Sequence, residues 1–115
     1  MRVNSIIFHT TRLPELRAFY EGKLGLPTGT YEKDGKVLAD FSDSYVNYHL
    51  NGVLLCFEND GDRTDLGTVV LNVDNFAAFK SRMENEGLKI LSGNAHFFKI
   101  KDPEGRSMII EPLKN

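Results

Sequence analysis

The stretch Asp102-Pro103-Glu104-Gly105-Arg106-Ser107-Met108-Ile109-Ile110-Glu111 combines a tight-turn signal with a strand that ends in a carboxylate. Proline at the second turn position presets φ, and the glycine two residues later accepts a positive φ, so the first four residues predict a turn. In the strand that follows, Met108 and Ile110 face one way, and Ile109 and Glu111 face the other. A carboxylate on an otherwise apolar strand needs either water or a built site. The function of the chain is therefore expected on the face that Glu111 shares.

The composition predicts one compact domain. The chain has 115 residues, of which 41% are hydrophobic and 26% are charged, and this suits a single real core. The net charge of −2 without a basic stripe excludes nucleic acid as the expected partner. No apolar run approaches the ~20 residues of a membrane span, and the first residues lead into a strand pattern rather than an apolar leader. Cys56 is the only cysteine, which rules out an intrachain disulfide and predicts a cytoplasmic location.

Residues 1–58 predict a first module made of one strand, one helix and three further strands. Apolar side chains recur at spacings of three and four through the helix, which Gly25 ends. This stripe consists of Leu13, Leu16, Tyr20 and Leu24. The strands are predicted at residues 4–10, 36–41, 45–50 and 53–58, and Asn51-Gly52 is typical of a hairpin turn between the last two. Residues 59–66 are polar and are predicted to be a linker.

Residues 67–115 predict a second module with the same order of elements. The strands are predicted at residues 68–73, 89–91, 96–101 and 107–111, and Asp74 or Asn75 caps a helix that carries Phe76, Phe79 and Met83 and ends at Gly87. Placing Ile6 on Val69 also lays Leu13 on Phe76 and Tyr20 on Met83. The predicted fold class is therefore α+β, with two βαβββ modules that form a cupped mixed β-sheet and carry the helices on its outer face.

The period-2 alternation of the strands divides the sheet into two faces. The helix-facing side is uniformly apolar and contains Ile6, Phe8, Val53, Leu55, Phe57, Val69, Leu71, Val73, Met108 and Ile110. The other side mixes apolar and polar residues: Ser5, Ile7, His9, Leu54, Cys56, Glu58, Thr68, Val70, Asn72, Ile109 and Glu111, to which we add His96 and Phe98. An apolar surface with a few polar groups is typical of a ligand pocket, so this mixed side is predicted to bind a small molecule.

The helical stretch Leu13-Pro14-Glu15-Leu16-Arg17-Ala18-Phe19-Tyr20, followed by Leu24-Gly25-Leu26, resembles the first helix of the vicinal oxygen chelate superfamily. The segments Asn72-Val73-Asp74 and Asp102-Pro103-Glu104-Gly105 are similar to marks in the second half of these proteins. The superfamily includes glyoxalase I, extradiol dioxygenases, fosfomycin-modifying enzymes and bleomycin-resistance proteins. The resemblance covers essentially the whole chain, and its motifs are specific for the fold but poor guides to function.

In metal-dependent members of this superfamily, His and Glu side chains on the cavity face bind a divalent ion. The resemblance places those four ligand positions at Ser5, Cys56, Thr68 and Ile109. None is a usual ligand for Mg, Mn, Fe or Ni, and only Cys56 suits a softer metal. The resemblance therefore implies that the usual metal site is lost and that the protein uses no cofactor.

A shifted metal site is the alternative. His9, Glu58 and Glu111 lie on the same faces as the replaced positions, two or four residues along, and an imidazole with two carboxylates can form a facial triad. The protein would then be a divalent-metal-dependent lyase or dioxygenase, in which Glu58 or Glu111 moves a proton. The structural alternatives are a hydrogen bond from His9 to a neighbour, a solvated Glu58, and a Glu111 that is solvated or paired with Arg106 or a lysine.

The expected function is binding of a small molecule in the cavity of the cupped sheet without the usual metal, as the resemblance to bleomycin-resistance proteins implies. Those relatives work as dimers with clefts shared between chains, so the resemblance also implies a homodimer. A non-catalytic regulatory partner that uses only the surface of the fold is a third hypothesis. Cys56 is expected to be a small buried residue.

Overall fold

The computed structural model describes residues 1–27 and 29–113. The chain divides into two compact units, Met1–Asp65 and Leu66–Asn115, and each combines a helix with a β-sheet in which parallel and antiparallel pairs occur. The predicted α+β class with a repeated module is confirmed. The predicted end of the second module at residue 115 lies outside the described residues. Within the described residues, no helix has the length and apolar character needed to cross a membrane.

The first unit begins with β1, Ser5–Thr10, and the helix α1, Leu13–Arg17, which continues as a π-helical segment, Ala18–Lys23. The strands that follow are β2 Thr30–Lys33, β3 Lys36–Ala39, β4 Tyr45–Leu50 and β5 Val53–Asn59. The main sheet has the order β1-β5-β4, with β1 parallel and β4 antiparallel to β5, while β2 and β3 form a separate hairpin. The central strand β5, the last strand of the unit, thus pairs with the first strand, β1.

The strand β2 was not predicted, so four strands rather than three follow the helix in this unit. Its sequence, Thr-Tyr-Glu-Lys, is short and lacks an apolar run, and its order comes from pairing with β3 across the turn Asp34-Gly35. Both turn residues have positive φ, 52° and 74°, as the primed hairpin turns require. The strand predicted to reach Phe41 ends at Ala39, and Phe41 makes only an isolated bridge to Val46.

The helical stripe of the first unit is confirmed. Leu13, Leu16, Tyr20 and Leu24 are at most 3% exposed. The π-helical geometry arises where the N–H of Leu24 donates to the carbonyl of Phe19 at 2.9 Å, and Gly25 with φ of 80° ends the segment. The ring of Tyr20 packs on that of Phe57 at 4.7 Å between centroids, so this stripe covers the apolar side of β5.

The second unit contains β6 Thr68–Val73, α2 Phe76–Asn85, β7 Ser92–Gly93, β8 Phe98–Lys101 and β9 Ser107–Pro112. Its sheet has the order β6-β9-β8-β7, with β6 parallel to β9 and the other pairs antiparallel. Asn75 occupies the predicted N-cap position, but its side chain makes no capping hydrogen bond. The strand predicted at residues 89–91 is wrong: the paired residues are Ser92 and Gly93.

The predicted turn before β9 is confirmed and is closed by a buried ion pair. The N–H of Gly105 donates to the carbonyl of Asp102 at 3.0 Å. The carboxylate of Asp102 accepts the backbone N–H of Glu104 at 2.9 Å and that of Arg106 at 3.0 Å. The Arg106 side chain, which is fully buried, donates through Nη1 to Asp102 at 3.2 Å and to Glu104 at 2.8 Å. Arg106 therefore secures its own turn, and the alternative in which it pairs with Glu111 is not what the structure shows.

Candidate functional site

The candidate site of the first unit lies on one side of the sheet β1-β5-β4, the side that faces away from the helical stripe of Leu13, Leu16, Tyr20 and Leu24. We call this side the mixed face. Strand register arranges its side chains in three rows that run across β1, β5 and β4. The rows are Ser5–Leu54–His49, Ile7–Cys56–Asn47 and His9–Glu58–Tyr45. All six residues predicted for this side on β1 and β5 therefore share one face, as the alternation of the sequence indicates. The structure adds the three residues of β4.

The opposite side of this sheet is mostly buried against the helical segment, as predicted, although Phe8 and Val53 are only half-buried and Ile6 is exposed. Leu55 and Phe57 are at most 5% exposed, and Val46 and Tyr48 of β4 are fully buried beside them. Ile6, which was expected under the helix, is 48% exposed. It lies on β1, the edge strand of the sheet, and an edge position has a neighbouring strand on one side only.

The middle of the mixed face is apolar. Ile7 is 48% exposed, whereas Cys56 beside it is 6% exposed. Burial, together with the charges of Glu58 and Asp40, raises the pKa of the Cys56 thiol to about 11. A neutral thiol is neither a good nucleophile nor a metal ligand. Cys56 is therefore an uncharged, buried side chain, in agreement with the expectation of a small buried residue.

One polar cluster lies at the end of the mixed face that His9 occupies. The Nδ1 atom of His9 lies 2.7 Å from Oδ2 of Asp65, and the backbone N–H of His9 donates to the same oxygen at 2.9 Å. Its Nε2 atom lies 3.6 Å from Oε2 of Glu58. The hydrogen bonds from His9, followed by that from Arg63, hold the pKa of Asp65 well below its usual range. His9 is therefore oriented by an ionised carboxylate, which is the expected hydrogen bond to a neighbour.

A second polar cluster, centred on Asp40, was not predicted from the sequence. Nε2 of His49 lies 2.7 Å from Oδ2 of Asp40, and the amide of Asn47 donates to that oxygen at 3.3 Å. Burial raises the pKa of Asp40, but hydrogen bonds from His49, Asn47 and Tyr45 outweigh it and set the pKa below its ordinary value. Tyr31 of β2 stacks on the imidazole at 5.1 Å. The sequence did contain one indication of this cluster: Tyr45, Asn47 and His49, which can all form hydrogen bonds, occupy every second position of β4.

A pocket opens beside this second cluster. It has a volume of about 240 Å³ and is lined by Arg2, Asn4, His49, Gly52, Val53 and Leu54; we call it the Arg2 pocket. Gly52, which lines the pocket, belongs to the turn Asn51-Gly52, and both turn residues have positive φ, 49° and 85°. The pocket therefore extends the row Ser5–Leu54–His49 beyond the end of the sheet.

The corresponding side of the second unit also mixes polar and apolar residues. Register sets Thr68 opposite Ser107, Val70 opposite Ile109 and Asn72 opposite Glu111. Val70 is 52% exposed, and Thr68 and Asn72 are also exposed. The predicted residues Thr68, Val70, Asn72, Ile109 and Glu111 thus share one side of their own sheet.

Phe98 and His96 require corrections. Phe98 is fully buried, lies opposite Ile110, and packs on the rings of Phe76 and Phe79 at 5.5 and 6.3 Å, so it belongs to the helix-facing side. His96 precedes the strand rather than beginning it; it is exposed in the turn, where its N–H donates to the side chain of Asn94 at 2.7 Å. The alternation itself holds, since Phe98 and Ile100 share a face and are both fully buried, but this face was assigned to the wrong side of the sheet.

No protein-family model matches the sequence, and no curated protein matches it significantly. Solved structures with the same arrangement are numerous. A glyoxalase/dioxygenase from Nostoc punctiforme has a TM-score of 0.76 at 15% sequence identity, over 99% of this chain and 92% of that chain. Lactoylglutathione lyase from Agrobacterium tumefaciens has a TM-score of 0.71 at 16% identity, over 96% of this chain and 92% of that chain.

An antibiotic-binding protein from a Streptomyces species has a TM-score of 0.70 at 12% identity, over 99% of this chain and 97% of that chain. Two enzymes and a binding protein thus share one fold at low identity, and a fold shared in this way does not assign an activity. The likeness establishes that this chain has the vicinal oxygen chelate fold.

Proposed function

We propose that this protein binds a small organic molecule on the mixed face, within the cytoplasm, and that it does so without a metal ion at Ser5, Cys56, Thr68 and Ile109. The observation that carries the proposal is the order of groups across the three rows. The apolar side chains of Ile7 and Leu54, which are exposed and half-buried respectively, lie between the Asp40–His49 cluster and the His9–Asp65 cluster. An apolar floor with oriented polar groups at both ends matches a ligand that has an apolar body and polar ends.

Exposure and orientation support binding over a purely solvated surface. Ile7 keeps 48% of its surface exposed although its neighbour Cys56 is buried. The imidazoles of His9 and His49 are each held at 2.7 Å by a carboxylate, so both rings are fixed before any ligand arrives. Fixed polar groups lose little conformational entropy on binding. The antibiotic-binding protein of the same fold provides a precedent for this kind of function.

The donor set at the four family ligand positions does not fit a divalent ion. Ser5 and Thr68 offer hydroxyl groups, and Ile109 offers no donor atom. Cys56 would have to lose its proton, but its raised pKa opposes the thiolate that a metal requires. We therefore propose that ligand binding at this face proceeds without a metal in these positions.

Thermal unfolding with a panel of antibiotics and aromatic metabolites tests the proposal. A ligand at about one hundred times its Kd stabilises the folded state by about 2.7 kcal/mol, which corresponds to several degrees in Tm. Ile7→Asp places a charge in the middle of the mixed face and should abolish the shift. Val37→Asp, at a 72% exposed position of the β2–β3 hairpin, is the matched control and should keep it. No shift with any compound, or equal loss in both variants, would reject the proposal.

A metal-dependent lyase or dioxygenase is the second candidate function. It is favoured by one distance, the 3.6 Å between Nε2 of His9 and Oε2 of Glu58, which leaves room for an ion between two ligand atoms. Glu111, the third proposed ligand, belongs to the other unit, and within residues 1–27 and 29–113 no three His, Cys, Asp or Glu side chains form a ligand cluster. Metal analysis after growth with Mn, Fe, Ni and Zn, compared between wild type and His9→Ala, decides it. A bound ion that His9→Ala loses would favour this candidate.

A further inference from the structure

We propose that the Arg2 pocket binds an anionic oxygen group, a carboxylate or a phosphate, of the small molecule that occupies the mixed face. This inference rests on the proposed function and specifies the chemical class of its ligand. The pocket adjoins the row Ser5–Leu54–His49, because His49 and Leu54 belong both to that row and to the pocket lining. A molecule lying on the mixed face can therefore extend one end into the pocket.

The charges of the lining select an anion. The six lining residues contain one guanidinium, one imidazole and one side-chain amide, and none of them is a carboxylate. Arginine presents planar paired N–H donors that match carboxylate and phosphate oxygens. The guanidinium passes beside the turn, since a Cβ built on Gly52 would lie 3.8 Å from Nη1 of Arg2.

The second donor group is oriented by Asp40. The ionised carboxylate of Asp40 can only accept a hydrogen bond, so Nε2 of His49 carries the proton of their 2.7 Å contact. The ring is also stacked on Tyr31 at 5.1 Å, which fixes its plane. Across the described part of the chain, Nδ1 of His49 has no hydrogen-bond partner. A doubly protonated ring can donate from both nitrogens, through Nε2 to Asp40 and through Nδ1 to an anionic oxygen of the ligand.

The volume is consistent with a headgroup and not with a whole ligand. About 240 Å³ lies below the ~300–1,000 Å³ typical of complete small-molecule sites. The pocket therefore accommodates one end of a molecule, while the exposed side chain of Ile7 on the mixed face remains for its body. A suitable probe molecule therefore has two parts, an aromatic ring for the mixed face and an acid group for the Arg2 pocket.

Benzoate, phenyl phosphate and the uncharged benzamide provide the test, with binding followed by titration of the amide signals of Gly52, Val53 and Leu54. Both anions should shift these signals and bind at least about tenfold more tightly than benzamide, as loss of a charge-assisted hydrogen bond predicts. Arg2→Gln should weaken anion binding about tenfold and leave benzamide unaffected. Lys36→Gln removes the same charge from an exposed position outside the pocket and should change nothing.

A second variant separates binding from folding. His49→Gln should also weaken both anions, with thermal unfolding measured alongside to verify that the unit remains folded, while Arg2→Gln changes an exposed residue and leaves the core intact. If benzamide binds as tightly as benzoate, the anion inference is wrong and the proposed small-molecule function stands. If the anions shift signals elsewhere, or if Lys36→Gln weakens them as much as Arg2→Gln does, general charge attraction explains the binding and the Arg2 pocket is not the site.

Discussion

Cys56 has the environment of an unreactive thiol in the middle of a candidate binding face. Burial raises its pKa to about 11, with smaller effects from Glu58 and Asp40. At about pH 8 the folded protein should therefore react with a disulfide reagent roughly a hundredfold more slowly than the urea-unfolded chain, whose thiol has a pKa of about 8.5. The measurement is the rate of release of the coloured thiolate. Glu58→Gln should increase the folded rate only modestly, and equal rates in the folded and unfolded states would contradict this description of the site.

Arg106 is expected to contribute far more to stability than other arginines because its ion pairs are buried. Its side chain and that of Asp102 are fully buried, and Glu104 is 4% exposed. Arg106→Ala leaves two buried carboxylates without their cation and should lower the free energy of unfolding by about 3–5 kcal/mol. Urea denaturation measures this.

Arg12→Ala is the control for Arg106→Ala, because Arg12 also pairs with a carboxylate, Glu15, but both side chains are about half exposed. An exposed pair contributes about 0–1 kcal/mol. Similar losses in the two variants would mean that burial does not determine the strength of the Arg106 pair, and the turn before β9 would then owe its stability to its backbone hydrogen bonds.

The hydrogen bond between Asp40 and His49 illustrates which residues of the candidate site could be predicted. His9, Cys56 and Glu58 could be assigned to one face, because period-2 alternation within a strand determines the side on which each residue lies. Asp40 lies in the connection after β3, nine positions from His49, and their contact depends on how this connection pairs with β4, where the N–H of Asn47 donates to the carbonyl of Asp40 at 3.0 Å. Sequence alternation carries no information on that register, so the cluster was missed.

At the scale of elements, the well-predicted strands are those with a long alternating or apolar pattern. β4, β6 and the start of β5 occur where they were expected, because each has a long apolar or alternating sequence pattern, and the alternation also appears in the exposure of β4 and β6. β2 and β7 were missed or misplaced because they are short and largely polar, and their positions follow from the hairpins to which they belong. Pairing with a neighbour, rather than local preference, determines such strands.

The short strand β7 depends on a glycine. A Cβ at Gly93 would lie 2.7 Å from the carbonyl oxygen of Phe97 and 2.9 Å from Cβ of Phe98, and backbone atoms cannot move aside cheaply. Gly93→Ala should therefore destabilise the protein by about 1–3 kcal/mol. At Gly61 an added Cβ meets nothing within 4 Å, so Gly61→Ala should be nearly neutral. Urea unfolding of the two variants provides the comparison, and equal stability would show that β7 can shift to accept a side chain.

At the scale of the whole molecule, the repeat was predictable because both copies place a strand and a helical stripe in the same order. β1 is parallel to the last strand of the first unit, and β6 is parallel to the last strand of the second, so each unit closes in the same way. The function was less predictable, since two enzymes and a binding protein share this fold at 16% identity or less. Few residues distinguish such activities. The alternation of polar and apolar residues in a strand is compatible with each of these activities and therefore does not select one.

Exposed apolar side chains on an edge strand favour association with a second copy of the chain, which we propose as a homodimer. Ile6 and Ile7 of β1 are each 48% exposed, and within its own sheet β1 has a partner strand on one side only. Uncovered apolar edges are typical interaction sites in proteins. Light scattering during gel filtration should therefore give about twice the chain mass of 13.0 kDa.

Ile6→Lys should shift the protein toward the monomer by placing a charge on this edge, whereas Val37→Lys, 72% exposed on the separate hairpin, should remain a dimer. A monomer at about 100 μM, well above a micromolar Kd, would show that Ile6 and Ile7 do not form an interface with a second copy of the chain.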